Sequence, residues 1–250
     1  MSESSSALPA IAPARIAIQR GRFDHRFYRL FSYLILAAVL FGFSRTYYPK
    51  EFFDTPPLAP IFHVHAVIFT AWLVLFVTQT SLISAGRTRI HQWLGYGGVA
   101  LAAAMVAVGL AAAIASSKSG HFQNKFAQSP VEAFFANAGD LMVFLAFLIP
   151  AIVLRKQPEA HKRLMILATT AGLLPAAIAR WPILHRDPKE IVPVIALFVL
   201  AGPIYDLVSR RRIHLVYILG LIFFVLTPPP ARVAFARTRA GQRIGNWILR

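Results

Sequence analysis

Eight histidines and one deep carboxylate are the side chains of this sequence best suited to chemistry. In FHVHAVIFTAWLVLFVTQTSLI, His63 and His65 stand at the mouth of an apolar run; in VEAFFANAGDLMVFLAFL, Asp140 lies well inside another. Neutral imidazole ligates metals and carries protons near neutral pH. On a regular helix residues i and i+2 point about 200° apart, so His63 and His65 could share a metal only where the helix has not yet begun. One of the two is therefore expected to face inward. His65 also heads a stripe at seven-residue spacing through Trp72 and Gln79, a polar-tolerant face turned into a bundle. Three more histidines, His91, His161 and His214, begin apolar segments beside basic residues, in RTRIHQWLGYGG, QPEAHKRLMILA and RRRIHLVYILGL. His185, in WPILHRD, groups with His63, His65 and His121 at the opposite ends of the segments. Two readings stay open for these imidazoles: ligands of a b-type haem or another metal, or interfacial residues bonding head groups and neighbouring helices.

Asp140 sits nine residues past Val131, about 13 Å along a helix at 1.5 Å per residue. A carboxylate at that depth in lipid is costly, so it should face the interior and find a partner or keep its proton. Glu132, Asn137 and Asp140 fall within an arc of roughly 140°, which predicts one polar face on this helix. Arg180 is the expected counter-charge, unless its long stem carries it out to water. A proton or ligand site at Asp140 and a structural hydrogen bond are the two alternatives.

The elements that must hold these groups are set by composition. Of 250 residues, 57% are hydrophobic and 14% charged, and the apolar residues come in long blocks. A bilayer core of roughly 30 Å takes about 20 apolar residues of helix. Seven segments approach that length, near 27–43, 61–83, 91–115, 131–154, 164–181, 191–208 and 214–226. The expected fold is all-α, a polytopic transmembrane helical bundle of about seven helices. Residues 1–26 read as a polar mobile tail, 27–228 as the transmembrane domain, and 229–250 as a basic amphipathic tail forming an interfacial helix. The prolines of TPPP, 227–230, should end the seventh segment, and those at 150, 175, 193 and 203 should interrupt segments four to six.

With the N-terminus inside, one set of loops carries fourteen basic residues against seven on the other side, which places the N-terminus in the cytoplasm. The formal charge of +16 sits in short caps between apolar runs, so the implied partner is a bilayer with anionic head groups and not nucleic acid. Absence of Cys removes disulfides, thiolate metal sites, iron–sulfur clusters and c-type haem. No phosphate-binding loop, HExxH or GxSxG occurs.

The run from FHVHAVIFTAWLVLFVTQTSLI through GRTRIHQWLG, joined to PEAHKRLMILATTAGLLPAAIAR, resembles a group of uncharacterised bacterial multi-pass inner-membrane proteins over about residues 61–212. HKRLM at a helix start also resembles small membrane proteins of cytochrome oxidase assembly. The resemblance implies a bacterial inner-membrane location and a helical fold, and carries no activity with it. Three functions stay open: a haem- or metal-binding protein of membrane electron transfer, an accessory or assembly subunit of a membrane complex, and a proton-coupled small-molecule transporter using Asp140.

Overall fold

The computed structural model describes residues 11–48, 52, 57–119, 127–184 and 187–250, with side chains from residue 23 onward. Among them the chain is all-α, in ten helices: α1 (Ile11–Gly42), α2 (Pro60–Ser84), α3 (Thr88–Lys118), α4 (Pro130–Val153), α5 (Pro158–Gly172), α6 (Leu174–Ile178), α7 (Pro188–Arg210), α8 (Leu215–Leu226), α9 (Pro229–Arg237) and α10 (Arg239–Ile248). Proline occupies the first helical position of α2, α4, α5, α7 and α9, where its missing N–H has no helical partner to lose. Side-chain caps add to this: Ser129 accepts from Glu132 N at α4, and Asp187 accepts from Lys189 N at α7.

α2, α3, α4 and α7 are each long and apolar enough to cross a bilayer, and α8 with α9 forms a further candidate bent by 45°. Much of the exterior is apolar too: Val67, Val74, Leu110, Met142, Val153, Leu197 and Val208 are exposed. Trp93 and Tyr96 lie exposed near one end of the bundle and Trp247 near the other, as aromatic residues do at the two membrane interfaces. The chain is a multi-pass helical membrane protein.

α5 and α6 form the centre. Ile166, Leu167, Ala168, Ala171, Leu174, Ala177 and Ile178 are fully buried, packed against α4 and against α1, α7 and α8. Gly172 is the closest approach: a Cβ there would lie 2.6 Å from Cα of Phe144, a main-chain atom that cannot yield. Gly172→Ala should therefore spread α4 from α5. A melt in detergent checks it, with a drop of several degrees expected.

Several boundaries differ from the sequence expectation. α1 runs back to Ile11, through residues expected in the mobile tail. Of the four prolines expected to interrupt helices, Pro175 alone coincides with a break, between α5 and α6, while Pro150, Pro193 and Pro203 lie inside continuous helices. α8 does end before the proline run, and Pro229 starts a new helix. The C-terminal tail is two helices hinged at Thr238. Both pack on the first half of α4, with Val233, Ala236, Gly241 and Gly245 buried.

Candidate functional site

One end of the bundle gathers α1 around Asp24, the end of α2, the start of α3, the end of α4, the start of α5, the end of α7 and the start of α8. Here the rings of His91 and His161 lie 6.3 Å apart between centroids, nearly perpendicular at 80°. His161 is oriented by α4. The last turn of α4 tightens, so Arg155 N bonds Ile152 O instead of the carbonyl four residues back. This leaves Ala151 O to His161 Nδ1 at 2.8 Å. A carbonyl only accepts, so Nδ1 donates and the neutral ring keeps a bare Nε2. The His91 ring lies against the Gln79 main-chain carbonyl, and its Nδ1 is buried with no hydrogen-bond partner.

His214, expected at the same inner site, is otherwise engaged. Its Nδ1 accepts from Val216 N at 3.2 Å, capping α8, and its own main-chain N–H donates to Asp206 at 3.3 Å. Two of the three inner histidines are thus brought together, and the third is a helix cap.

Beside the pair is an ionic network that the sequence reading missed. Arg163 on α5 and Asp206 on α7 are fully buried and joined twice, Nε to Oδ2 at 2.7 Å and Nη2 to Oδ1 at 2.6 Å. Arg163 Nη1 also donates to the Glu159 carboxylate at 2.7 Å. Lys162 bridges Glu159 and Asp24, while Arg210 reaches both Asp24 and Glu159. Tyr205 adds a hydrogen bond to Asp24 at 2.8 Å. Three acids balance three bases, so the network is neutral and ties α1, α5 and α7 into one unit. The signal was available: Asp206 interrupts the apolar run LAGPIYDLV, as an intramembrane acid with a role does.

Burial opposes charge on Glu159, but hydrogen bonds from Lys162 and Arg163 outweigh it and hold the carboxyl at about 2. Asp24 is also held below its ordinary value: burial opposes its charge, and the bonds from Lys162 and Tyr205 prevail. A carboxyl depressed in the folded state stabilises above its unfolded pKa and loses that contribution as pH falls toward the folded value. Melting temperature in detergent should therefore stay level, as far as these groups go, from neutral pH to about 5, and fall between about 4.5 and 2. Glu159→Gln should flatten that acid limb.

At the opposite end, His63 is exposed near Tyr47, with 5.6 Å between ring centroids, whereas His65 turns inward and stacks on Phe69 at 3.9 Å. His185 and His121, expected in this layer, lie outside the described residues. Asp140 pairs not with Arg180 but with Arg232 of α9, Nη1 to Oδ1 at 2.6 Å. Arg180 instead bonds Ala176 O and lies over the Phe43 ring. Arg232 gets so close because residue 139 is glycine, where a Cβ would collide with the guanidinium. Glu132 is buried beneath Arg237 and accepts Gln128 N at 2.8 Å, while Asn137 is exposed. The polar face expected on α4 is thus divided: two acids turn to the C-terminal helices and the amide turns away.

No family model, curated protein or solved structure matches this chain. Among the described residues no three His, Asp or Glu side chains gather as a metal cage. What this end of the bundle offers is two imidazoles, one with its tautomer fixed by a main-chain carbonyl. That donor set suits a cofactor that needs axial side chains alone and brings its own equatorial ligands.

Proposed function

We propose that the chain is a seven-span protein of the bacterial inner membrane, with its N-terminus in the cytoplasm, that holds a b-type haem through His91 and His161 and takes part in membrane electron transfer. The His91–His161 pair carries this reading. Two imidazoles on one metal need about 2 Å from metal to each nitrogen, plus the depth from nitrogen to ring centre on each side. The observed 6.3 Å between centroids is of the size that spacing calls for, which supports the reading. Absence of Cys points to non-covalent haem.

In this reading α1, α2, α3, α4, α5 with α6, α7, and α8 with α9 are the crossings. Support comes from the last of them: α8 begins beside Asp206, and α9 ends beside Glu132, at the other end of the bundle. α10 then lies at the outer interface, with Gly241 and Gly245 toward the protein and Arg239, Arg243, Ile244 and Trp247 exposed toward anionic head groups.

The purified protein should show reduced-minus-oxidised bands of b-type haem. His91→Ala and His161→Ala should each abolish them, and His63→Ala should leave them intact. A colourless protein with no stoichiometric metal overturns the reading. The ion pair between Asp140 and Arg232 favours a structural role for that acid over substrate transport.

A further inference from the structure

We propose that the cleft between α10, the end of α3 and the start of α4 binds one anionic phospholipid, whose head group is a phosphodiester carrying a glycerol. The site stands apart from the haem reading, because it lies at the opposite end of the bundle from His91 and His161. It narrows the interfacial placement of α10 to one lipid in one place.

The cleft measures about 510 Å³, with Lys118, Ser129, Gln242 and Asn246 as its polar walls and Val131 and Leu249 among its apolar ones. Small-molecule sites commonly fall between about 300 and 1,000 Å³. α10 is seated firmly on α4 beside it, since a Cβ at Gly245 would come within 2.4 Å of Val131 Cγ1. All four polar side chains keep open hydrogen-bonding capacity. Lys118 Nζ approaches the Arg250 main-chain oxygen at 3.4 Å, and an ammonium has three donors, so two are left over. Ser129 Oγ accepts from Glu132 N, which leaves its O–H to donate. Gln242 gives one amide N–H to Ala236 O at 2.8 Å and keeps its Oε1. Asn246 is exposed, and its amide bonds no described residue.

These groups select a ligand by charge and by hydrogen bonding. An ammonium with a hydroxyl beside it suits phosphate oxygens, and two amides, each both donor and acceptor, suit the hydroxyls of a glycerol. Arg239, Arg243 and Arg250 are exposed on the turns around the two amides. Glu132, next to Val131 in the first turn of α4, is already occupied by Arg237 and by Gln128 N. A choline or ethanolamine cation would therefore meet like charge here, and a glycerol head group would not. The tails have a place as well. Ala111 and Ala107 stand seven and eleven residues before Lys118, on the same face of α3, and both are exposed. Small side chains directly below the ammonium give an acyl chain room against the helix. A soluble phosphate ester would fill the head site and leave that face bare, so a lipid is the better-matched source of the anion.

Native mass spectrometry of the full chain in maltoside micelles tests the site, with phosphatidylglycerol or phosphatidylcholine of identical chains added in steps. The parent should take up one phosphatidylglycerol at a concentration at least tenfold below that needed for phosphatidylcholine. Lys118→Gln and Asn246→Leu should each weaken that first uptake at least fivefold while melting near the parent, because neither side chain is buried and Asn246 makes no bond within the fold. Lys156→Gln, at the other end of the bundle, should not weaken it. Equal uptake of the two lipids, or a first phosphatidylglycerol that both cleft variants retain, overturns the proposal. Displacement by glycerol 3-phosphate at a concentration equal to the lipid's would make a soluble anion the ligand and overturn the lipid. If uptake instead comes as several equivalent lipids, lost with Arg239→Gln and Arg243→Gln, α10 still lies at the interface and the single site falls.

Discussion

Asp206→Ala should prevent recovery of folded protein from detergent, the largest loss expected of any single change in this chain. Asp206 and Arg163 are each fully buried, and Arg163 donates two hydrogen bonds to the Asp206 carboxylate. Removing the carboxylate leaves a guanidinium among Tyr217, Tyr28 and the apolar centre of α5, with Glu159 as its remaining acid. Breaking a buried pair from one side typically costs 3–5 kcal/mol, because the surviving charge is uncompensated; removing both partners for apolar residues of similar volume is often neutral. Arg163→Met with Asp206→Leu should therefore recover much of what Asp206→Ala loses. Asp206→Asn should fall between, since it keeps an acceptor and removes the charge. Monodisperse elution and the melting temperature of each variant decide the order. If the single substitution elutes and melts like the parent, the pair does not hold α5 to α7.

This pair also shows where the sequence ran out. The helical bundle was legible because apolar blocks of spanning length have no other use, and His65, His91 and His161 stood out as polar residues at the mouths of such blocks. Arg163 and Arg210 looked like topology markers, since a basic residue at a helix end needs no further reason. Asp24 looked like part of a polar tail because its partners, Lys162, Tyr205 and Arg210, lie far away in the chain. The choice between Arg180 and Arg232 for Asp140 was likewise not readable. A Coulombic partner is set by the in-plane order of helices, and that order depends on close approaches such as Gly172 on Phe144. Proline positions misled as well. A proline removes one main-chain bond, yet the helices run on through Pro150, Pro193 and Pro203 and break only beside Pro175.

Arg232→Met should detach the C-terminal helices from α4 and destabilise the bundle by about 3–5 kcal/mol. The Asp140 side chain is 24% exposed and that of Arg232 11%, and the guanidinium also bonds Thr227 O at 2.9 Å and Ala136 O at 3.2 Å. Without it the carboxylate must take a proton or draw in water, and α9 loses the group that fixes its angle after the 45° bend. Arg237 pairs with Glu132 from a position that is 54% exposed, and the buried Glu132 keeps the Gln128 N–H when that arginine is lost, so Arg237→Ala should cost clearly less than Arg232→Met. The contrast tests burial against charge count, because both arginines join the same two elements with the same chemistry. Cleavage by an added protease at the Thr238 hinge, together with unfolding in mixed micelles, reads it out. Arg232→Met should be cut and melt early, Arg237→Ala should resist, and Arg232→Met combined with Asp140→Leu should return toward the parent. Equal effects from the two arginines would mean that the tail is held by its apolar contacts through Val233, Ala236 and Gly245, and that Asp140 has no need of the charge Arg232 brings to it.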